Sequence, residues 1–285
     1  MIDWLAEPFA LGFMQRALVA SIIVGIVCAV IGCYIVLRSM AFLGDALAHA
    51  ILPGVAIAYL VGANLLAGAL VAGMIVAVGI SFVSRAGTIR EDTAIGIFFA
   101  AALALGVVLI STMDTYAIDL THVLFGNVLG VSASDLWISG GLAVVVLVAI
   151  GLLYKQLLVV SFDPILGQTL GLRTHALRTG LFLMLAGTIV VSLRTVGVAL
   201  VAAMLVTPPA TAYLLTRRLP TMMAVSALIG VVSAVGGLYA SYYLNVASGG
   251  AMVLVATGIF LVAFLFSPGK GVLWRLRPSR KVKAG

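Results

Sequence analysis

The sequence predicts an all-α, polytopic membrane protein with about nine transmembrane helices. Of its 285 residues, 64% are apolar and only 9% are charged, whereas a soluble domain has about 45–50% apolar and about 25% charged residues. No charged residue occurs between Arg218 and Lys270, and runs such as Ala143–Leu153 contain no polar side chain, unlike the alternating strands of a membrane β-barrel. These observations exclude a soluble enzyme, a disordered protein and a secreted domain framed by disulfides.

Apolar runs between charged clusters delimit the individual spans. A helix that crosses the hydrocarbon core needs about 20 residues, and several turns between the runs are so short that neighbouring helices should be antiparallel. Segment 112–134 is too polar for a simple span and is expected to form a short, half-buried helix. The nine predicted spans are 17–37, 41–61, 65–83, 93–111, 135–153, 176–193, 196–215, 221–244 and 249–266.

The basic residues predict the orientation, because Lys and Arg concentrate in cytoplasmic loops. With nine spans and the C-terminus inside, 14 of the 16 basic residues fall on the cytoplasmic side, and only Arg16 and Arg194 fall outside. We therefore expect the N-terminus outside, a single transmembrane domain over 1–267 and a basic cytoplasmic tail over 268–285. Six basic residues in that tail favour contact with the membrane surface rather than with nucleic acid.

Asp45 is the one acidic residue that falls well within a predicted span, and His49 follows it by four residues. Side chains at that spacing share one face of a helix, and an unpaired carboxylate at membrane depth costs at least about 2.5–3.5 kcal/mol. A divalent metal site is the favoured interpretation, because carboxylate oxygen and imidazole nitrogen suit Mn²⁺, Fe²⁺ and Zn²⁺. An Asp–His contact that only joins helices and a proton relay through the imidazole remain open alternatives.

The sequence also resembles the manganese/zinc/iron permease family of ATP-binding-cassette importers over nearly its whole length. The matching residues occur in the family's order and include the stretch that contains Asp45 and His49. They are Arg38–Gly54, Glu91–Ile97, Leu124–Asn127, Val131–Leu136, Phe162–Pro164 with Gly171, Val196–Gly197, Leu205–Ala212, Ser241–Tyr242 and Ala247–Gly249.

This resemblance implies a type II importer-like permease that forms a homodimer in the bacterial inner membrane. Two separate ATPase subunits would bind on the cytoplasmic side, and an extracytoplasmic binding protein would deliver the metal. Asp45 and His49 would coordinate the transported ion, and we hypothesise that two Asp and two His side chains meet at the two-fold axis. The transported metal would be Mn²⁺ or Zn²⁺, with Fe²⁺ as a further candidate, and no cofactor would be permanently bound.

By the same resemblance, the cytoplasmic segment 154–175 should bind the ATPase. Asp163 can cap a helix that has Pro164 in its first turn, and Gly171 can end it. Phe162, Asp163, Pro164 and Gly171 are therefore the predicted coupling residues, although an ordinary surface helix would have the same pattern. Thr207-Pro208-Pro209 should break the seventh span, either shaping the inner mouth or simply bending the helix.

Two further groups of polar residues have simpler explanations. Asp119 and His122, three residues apart in the polar outer segment, are best interpreted as a solvated loop, with a weak first site for incoming ions as the alternative. Glu91 and Asp92 precede a span, where acids interact favourably with a helix N-terminus. Capping is favoured there over contact with the ATPase.

The chain itself should not hydrolyse ATP, because it lacks the G-x-x-x-x-G-K-[ST] motif. The sequence therefore predicts a transport subunit that works by alternating access and is driven by separate ATPases. The alternative is a secondary metal transporter coupled to an ion or proton gradient. An intramembrane hydrolase is disfavoured because no H-E-x-x-H or similar set occurs.

Overall fold

The computed structural model of the chain describes residues 11–85, 89–112 and 130–267. Throughout these ranges the regular structure is helical, and we number the helices in chain order. They are α1 (Gly12–Leu37), α2 (Leu43–Ala50), α3 (Leu52–Leu60), α4 (Leu65–Arg85), α5 (Glu91–Ser111), α6 (Ala133–Leu152), α7 (Tyr154–Phe162), α8 (Pro164–Thr169), α9 (Thr174–Val196), α10 (Val198–Leu215), α11 (Leu219–Leu244) and α12 (Ser248–Phe266).

Nine helical segments within the described ranges are long and apolar enough to cross a membrane, which confirms the predicted architecture. Their bounds lie close to the predicted ones, and the largest difference is at α1, which begins at Gly12 rather than at residue 17. The predicted half-buried helix in segment 112–134 falls mainly on residues 113–129, outside the described residues.

The second span departs from the predicted single helix over 41–61. Residues 38–42 form turns, with Ser39 at φ 57°, so the helix begins at Leu43 and Asp45 lies in its first turn. The span is then interrupted at Ile51, which separates α2 from α3. Pro53 explains the interruption, because proline has no N–H to donate to the carbonyl of His49, four residues earlier.

The seventh span shows the opposite behaviour, and the predicted break at Thr207-Pro208-Pro209 is wrong. Helix α10 continues through both prolines from Val198 to Leu215. The Thr211 hydroxyl donates a hydrogen bond of 2.7 Å to the Thr207 carbonyl, which supports the backbone directly after the prolines. Pro209 has no N–H to donate to the carbonyl of Leu205. This carbonyl lies against Gly32 of α1, where any side chain would collide with it.

Helix α1 lies at the centre of the bundle and packs against α6, α9, α10 and α11. Helix α9 also packs against α4, while α5 covers α2 and α3. Small residues permit the closest approaches, such as Gly25 of α1 against Gly230 of α11 and Gly54 of α3 against Gly68 of α4. Such contacts are expected between membrane helices, because lipid supplies no hydrophobic force to drive them together. The fold therefore fixes α2 between α5, α9 and α10.

Candidate metal site

Asp45 and His49 lie on one face of α2, as their spacing predicts. The Nε2 atom of His49 is 3.6 Å from Oδ1 of Asp45, and the two side chains are 27% and 50% exposed, respectively. The His49 ring also packs edge-on against Phe99 of α5, with ring centroids 5.8 Å apart. The pair is therefore supported from α5 on one side and remains accessible from outside this chain.

A cavity of about 200 Å³ lies between α2 and α5 and includes Asp45 in its wall. Asp92, at the start of α5, contributes a second carboxylate to the same cavity. For Asp92 the sequence favoured helix capping over contact with the ATPase, because an acid in the first turn of a helix interacts favourably with the helix N-terminus, and neither interpretation placed it at this cavity. The other lining residues are Phe42, Ala46, Ile95, Gly96 and Phe99.

The chemistry available to one chain is a carboxylate and an imidazole on adjacent turns. Among the described residues, no group of three or more His, Cys, Asp and Glu side chains is placed to hold one metal ion. Two donors can contact a hydrated divalent cation, but they do not complete its coordination sphere. Any tighter site needs water, backbone oxygens or another chain.

Glu91, directly before Asp92, takes part in a cluster that the sequence did not predict. Its carboxylate accepts hydrogen bonds of 2.9 and 3.2 Å from Nη2 of Arg38, and its Oε1 lies 2.5 Å from Nη1 of Arg178. We call Arg38, Glu91 and Arg178 the Glu91 cluster; it joins the end of α1, the start of α5 and the second turn of α9. No pattern along the chain indicates these pairs, because the partners are far apart in sequence.

The Glu91 cluster is mostly withdrawn from solvent. The side chains of Arg38, Arg178 and Glu91 are 8%, 15% and 24% exposed. Burial lowers the pKa of the Arg38 guanidinium, the charge of Glu91 raises it and the charge of Arg178 lowers it. Arginine nevertheless stays protonated in proteins, so two positive charges share one carboxylate.

The predicted coupling segment forms the expected short helix. The Asp163 carboxylate accepts hydrogen bonds of 3.0 and 2.9 Å from the N–H groups of Ile165 and Leu166, Pro164 is the first residue of α8, and Gly171 has φ 74° just after the helix. The segment exposes large apolar side chains, namely Phe162, Ile165, Leu166 and Leu170. The geometry confirms the predicted helix, while its role in binding a partner stays a prediction.

The remaining predicted pair, Asp119 and His122, lies outside the described residues. The choice between a solvated loop and a weak first site for ions therefore stays open.

A family model described as the ABC 3 transport family matches residues 10–267 of the chain. The chain is 50% identical over 275 residues to the manganese transport system membrane protein MntC of Halalkalibacterium halodurans, covering 95% of this chain and 94% of the relative. It is 40% identical to the chelated iron transport system membrane protein YfeD of Yersinia pestis, covering 94% of this chain and 90% of that one.

A solved structure has the same fold. PsaBC from Streptococcus pneumoniae, determined in complex with Fab, superposes with a TM-score of 0.83 at 39% identity. The match covers 95% of this chain and 98% of the solved chain. The architecture and nearly the full length of the chain are thus common to it and to known transport proteins.

Proposed function

The chain belongs to the ABC 3 transport family, and from this membership we propose that it is the membrane permease subunit of an ATP-binding-cassette importer for a divalent transition metal. The observation that carries the proposal is the 50% identity, over 95% of the chain, to a manganese transport membrane protein. Mn²⁺ is therefore the first candidate cargo and Fe²⁺ the second, because a further relative is named for chelated iron. Zn²⁺, which the sequence also suggested, has the weaker support.

Asp45 and His49 are the proposed ligands of the transported ion. Two donor atoms that each bind one ion at about 2.1 Å are about 3.0 Å apart at a right angle and about 4.2 Å apart on opposite sides. The 3.6 Å separation of Oδ1 and Nε2 lies within that range. Both side chains can therefore contact one cation without a change in the helix backbone.

A second copy of the chain is the proposed source of further ligands. One chain offers two such donors on α2, and the Asp45 side chain remains half exposed, so a symmetric partner can approach it. Two copies related by a two-fold axis would present two carboxylates and two imidazoles. This homodimer would give the ion a closed site of four protein ligands.

The remaining partners and the membrane orientation follow from the same proposal. Two ATPase subunits would bind residues 162–171, which we call the α8 segment and whose exposed apolar side chains are suited to a protein surface. An extracytoplasmic metal-binding protein would deliver the ion at the opposite end of the bundle. The chain would lie in the bacterial inner membrane with its N-terminus outside, a single domain over 1–267 and a basic cytoplasmic tail over 268–285.

The proposed mechanism is alternating access. An ion delivered from outside would bind Asp45 and His49, and closure of the ATPases would move the α8 segments of both copies. That movement would open the α2–α5 cavity towards the cytoplasm and close the outer path. This chain supplies the binding groups and the moving helices, while ATP hydrolysis belongs to the separate subunits.

Uptake of radioactive manganese into proteoliposomes that contain the assembled importer tests this function. We expect ATP-dependent uptake by the wild type and none above background by Asp45→Ala or His49→Ala, with the complex still assembled and still hydrolysing ATP. Binding of Mn²⁺ by the purified chain is measured beside uptake, and His175→Ala is the matched control for that binding, because His175 is an exposed histidine on α9. Normal uptake by both site variants would refute the site, and gradient-driven uptake by the chain alone would favour a secondary transporter.

A further inference from the structure

We propose that Arg178 is a positioning residue, which transmits movement of the α8 segment through the Glu91 carboxylate to the walls of the α2–α5 cavity. Because Asp45 lines this cavity, we call it the metal cavity. The inference rests on the proposed function and adds a route by which the site responds to the ATPases. Arg178 contacts the Glu91 carboxylate of α5 and donates a hydrogen bond to the Ser81 carbonyl of α4. Its role follows from what it joins.

The start of α9 and the α8 helix form one packed unit. Thr174, the first residue of α9, is 7% exposed, and a Cβ atom at Gly167 of α8 would be 2.9 Å from the Thr174 methyl carbon. The Thr174 N–H donates a 2.9 Å hydrogen bond to the carbonyl of Leu172 in the intervening turn. A displacement of α8 must therefore carry the first turn of α9, and Arg178 lies one turn further along.

Glu91 connects Arg178 to both walls of the cavity. Glu91 directly precedes Asp92, which lines the cavity from α5. The other partner of Glu91 is Arg38, which ends α1 and is joined by a short turn to α2, the helix that carries Asp45. Besides the direct packing of α9 on α2, the Glu91 carboxylate thus joins the α8–α9 unit by ion pairs to both helices that line the cavity.

Direct contacts between guanidinium and carboxylate make this link short and stiff. Arg178 Nη1 is 2.5 Å from Glu91 Oε1, and Arg38 Nη2 is 2.9 Å from the same oxygen. All three side chains are mostly buried, so water does not readily replace a lost contact. A shift of α9 that preserves these contacts must move the start of α5 and the end of α1 with it.

Arg178→Gln is the diagnostic substitution, because it removes the contact between α9 and Glu91 without leaving a buried charge unpaired. Glu91→Gln would leave two buried guanidinium groups without an anion and could prevent folding. Arg178→Gln instead leaves Arg38 and Glu91 as a neutral pair. The substitution also removes the 3.5 Å hydrogen bond that Arg178 Nη2 donates to the Ser81 carbonyl of α4. The adjacent 2.6 Å hydrogen bond between the hydroxyl groups of Ser81 and Thr179 still joins α4 to α9.

The experiment measures ATP hydrolysis and manganese uptake together in proteoliposomes that contain the permease, its ATPases and the metal-binding protein. For Arg178→Gln we expect an assembled complex with the melting temperature of the wild type and at least half of its hydrolysis rate. Uptake per ATP hydrolysed should fall about tenfold, within the usual range of a coupling interaction. Arg178→Lys, which keeps a positive charge beside Glu91, should retain most of the coupling.

Arg90→Gln is the matched control, since Arg90 is exposed and directly precedes Glu91, and its uptake per ATP should equal that of the wild type. Unchanged uptake per ATP in Arg178→Gln would overturn the inference. So would a lower melting temperature with uptake and hydrolysis reduced in parallel, which indicates a purely structural role. A wild-type complex without ATP-dependent uptake would instead refute the proposed function, and the Arg178 inference with it.

Discussion

Two acid–base groups of the chain differ in the separation of their charged atoms and in their exposure to solvent. Asp45 and His49 are 3.6 Å apart and are 50% and 27% exposed, whereas Glu91 and Arg38 are 2.9 Å apart and are 24% and 8% exposed. Glu91 is held by two guanidinium groups from two other helices. The Asp45 carboxylate instead faces a cavity of about 200 Å³.

This difference separates groups that bind cargo from groups that hold helices in position. A buried carboxylate that is shared by two guanidinium groups stabilises one arrangement of the helices, and removing that shared anion is costly. A carboxylate that faces a cavity in a membrane protein has no such compensation and is typical of an ion pathway. We therefore expect substitutions at the two groups to affect different measurements.

The largest expected effect on stability distinguishes the two groups directly. Glu91→Gln should lower the free energy of unfolding by about 3 kcal/mol, because it leaves two buried positive charges without their anion. Asp45→Asn should change it by less than about 0.5 kcal/mol, as expected for an accessible side chain. Thermal unfolding of the purified chain in detergent, followed by circular dichroism, provides the measurement. Equal destabilisation by both substitutions would remove the distinction.

Asp92→Asn tests how far the binding region extends along the cavity wall. The Asp92 carboxylate lines the cavity that includes Asp45 and should add to its negative potential. We expect an apparent manganese affinity about tenfold lower, because one charge on the wall of the same cavity contributes roughly 1–3 kcal/mol at intermediate dielectric. Concentration-dependent uptake by the assembled importer measures this change. An unchanged affinity would confine the site to α2.

The smallest expected effect concerns α8. Asp163→Ala removes the acceptor of two backbone N–H groups at the helix start and should destabilise α8 by about 1 kcal/mol. Uptake should fall a few-fold, because α8 is the proposed contact with the ATPase. Metal binding by the permease should stay unchanged, because the substitution does not touch the Glu91 cluster or the metal cavity. Titration with Mn²⁺ beside an uptake assay checks both outcomes. Weaker metal binding in this variant would show that α8 and the cavity cannot be treated separately.

Sequence reasoning predicted most of the fold, because lipid imposes a simple requirement on each span. A crossing helix must be apolar over about 20 residues, so the charged residues between apolar runs mark the boundaries. The shared helix face of Asp45 and His49 and the helix cap at Asp163 could likewise be predicted from residues that are close together in the sequence. Each of these features depends only on residues within one or two turns.

The features that the sequence missed depend on packing between distant helices. Glu91 and Arg38 are 53 residues apart, and nothing along the chain specifies that α1, α5 and α9 bring them together. The presence of Asp92 in the cavity likewise follows from the packing of α5 on α2. The effect of a proline cannot be predicted from the sequence either. Pro53 accompanies a helix break, whereas Pro208 is accommodated within a continuous helix.

Pulsed electron paramagnetic resonance of Mn²⁺ bound to the assembled importer tests the central claim most directly. If His49 binds the transported ion, the Mn²⁺ signal should show coupling to an imidazole nitrogen. That coupling should disappear in His49→Ala and persist in His175→Ala. A wild-type signal without nitrogen coupling, or a coupling that survives His49→Ala, would contradict the account.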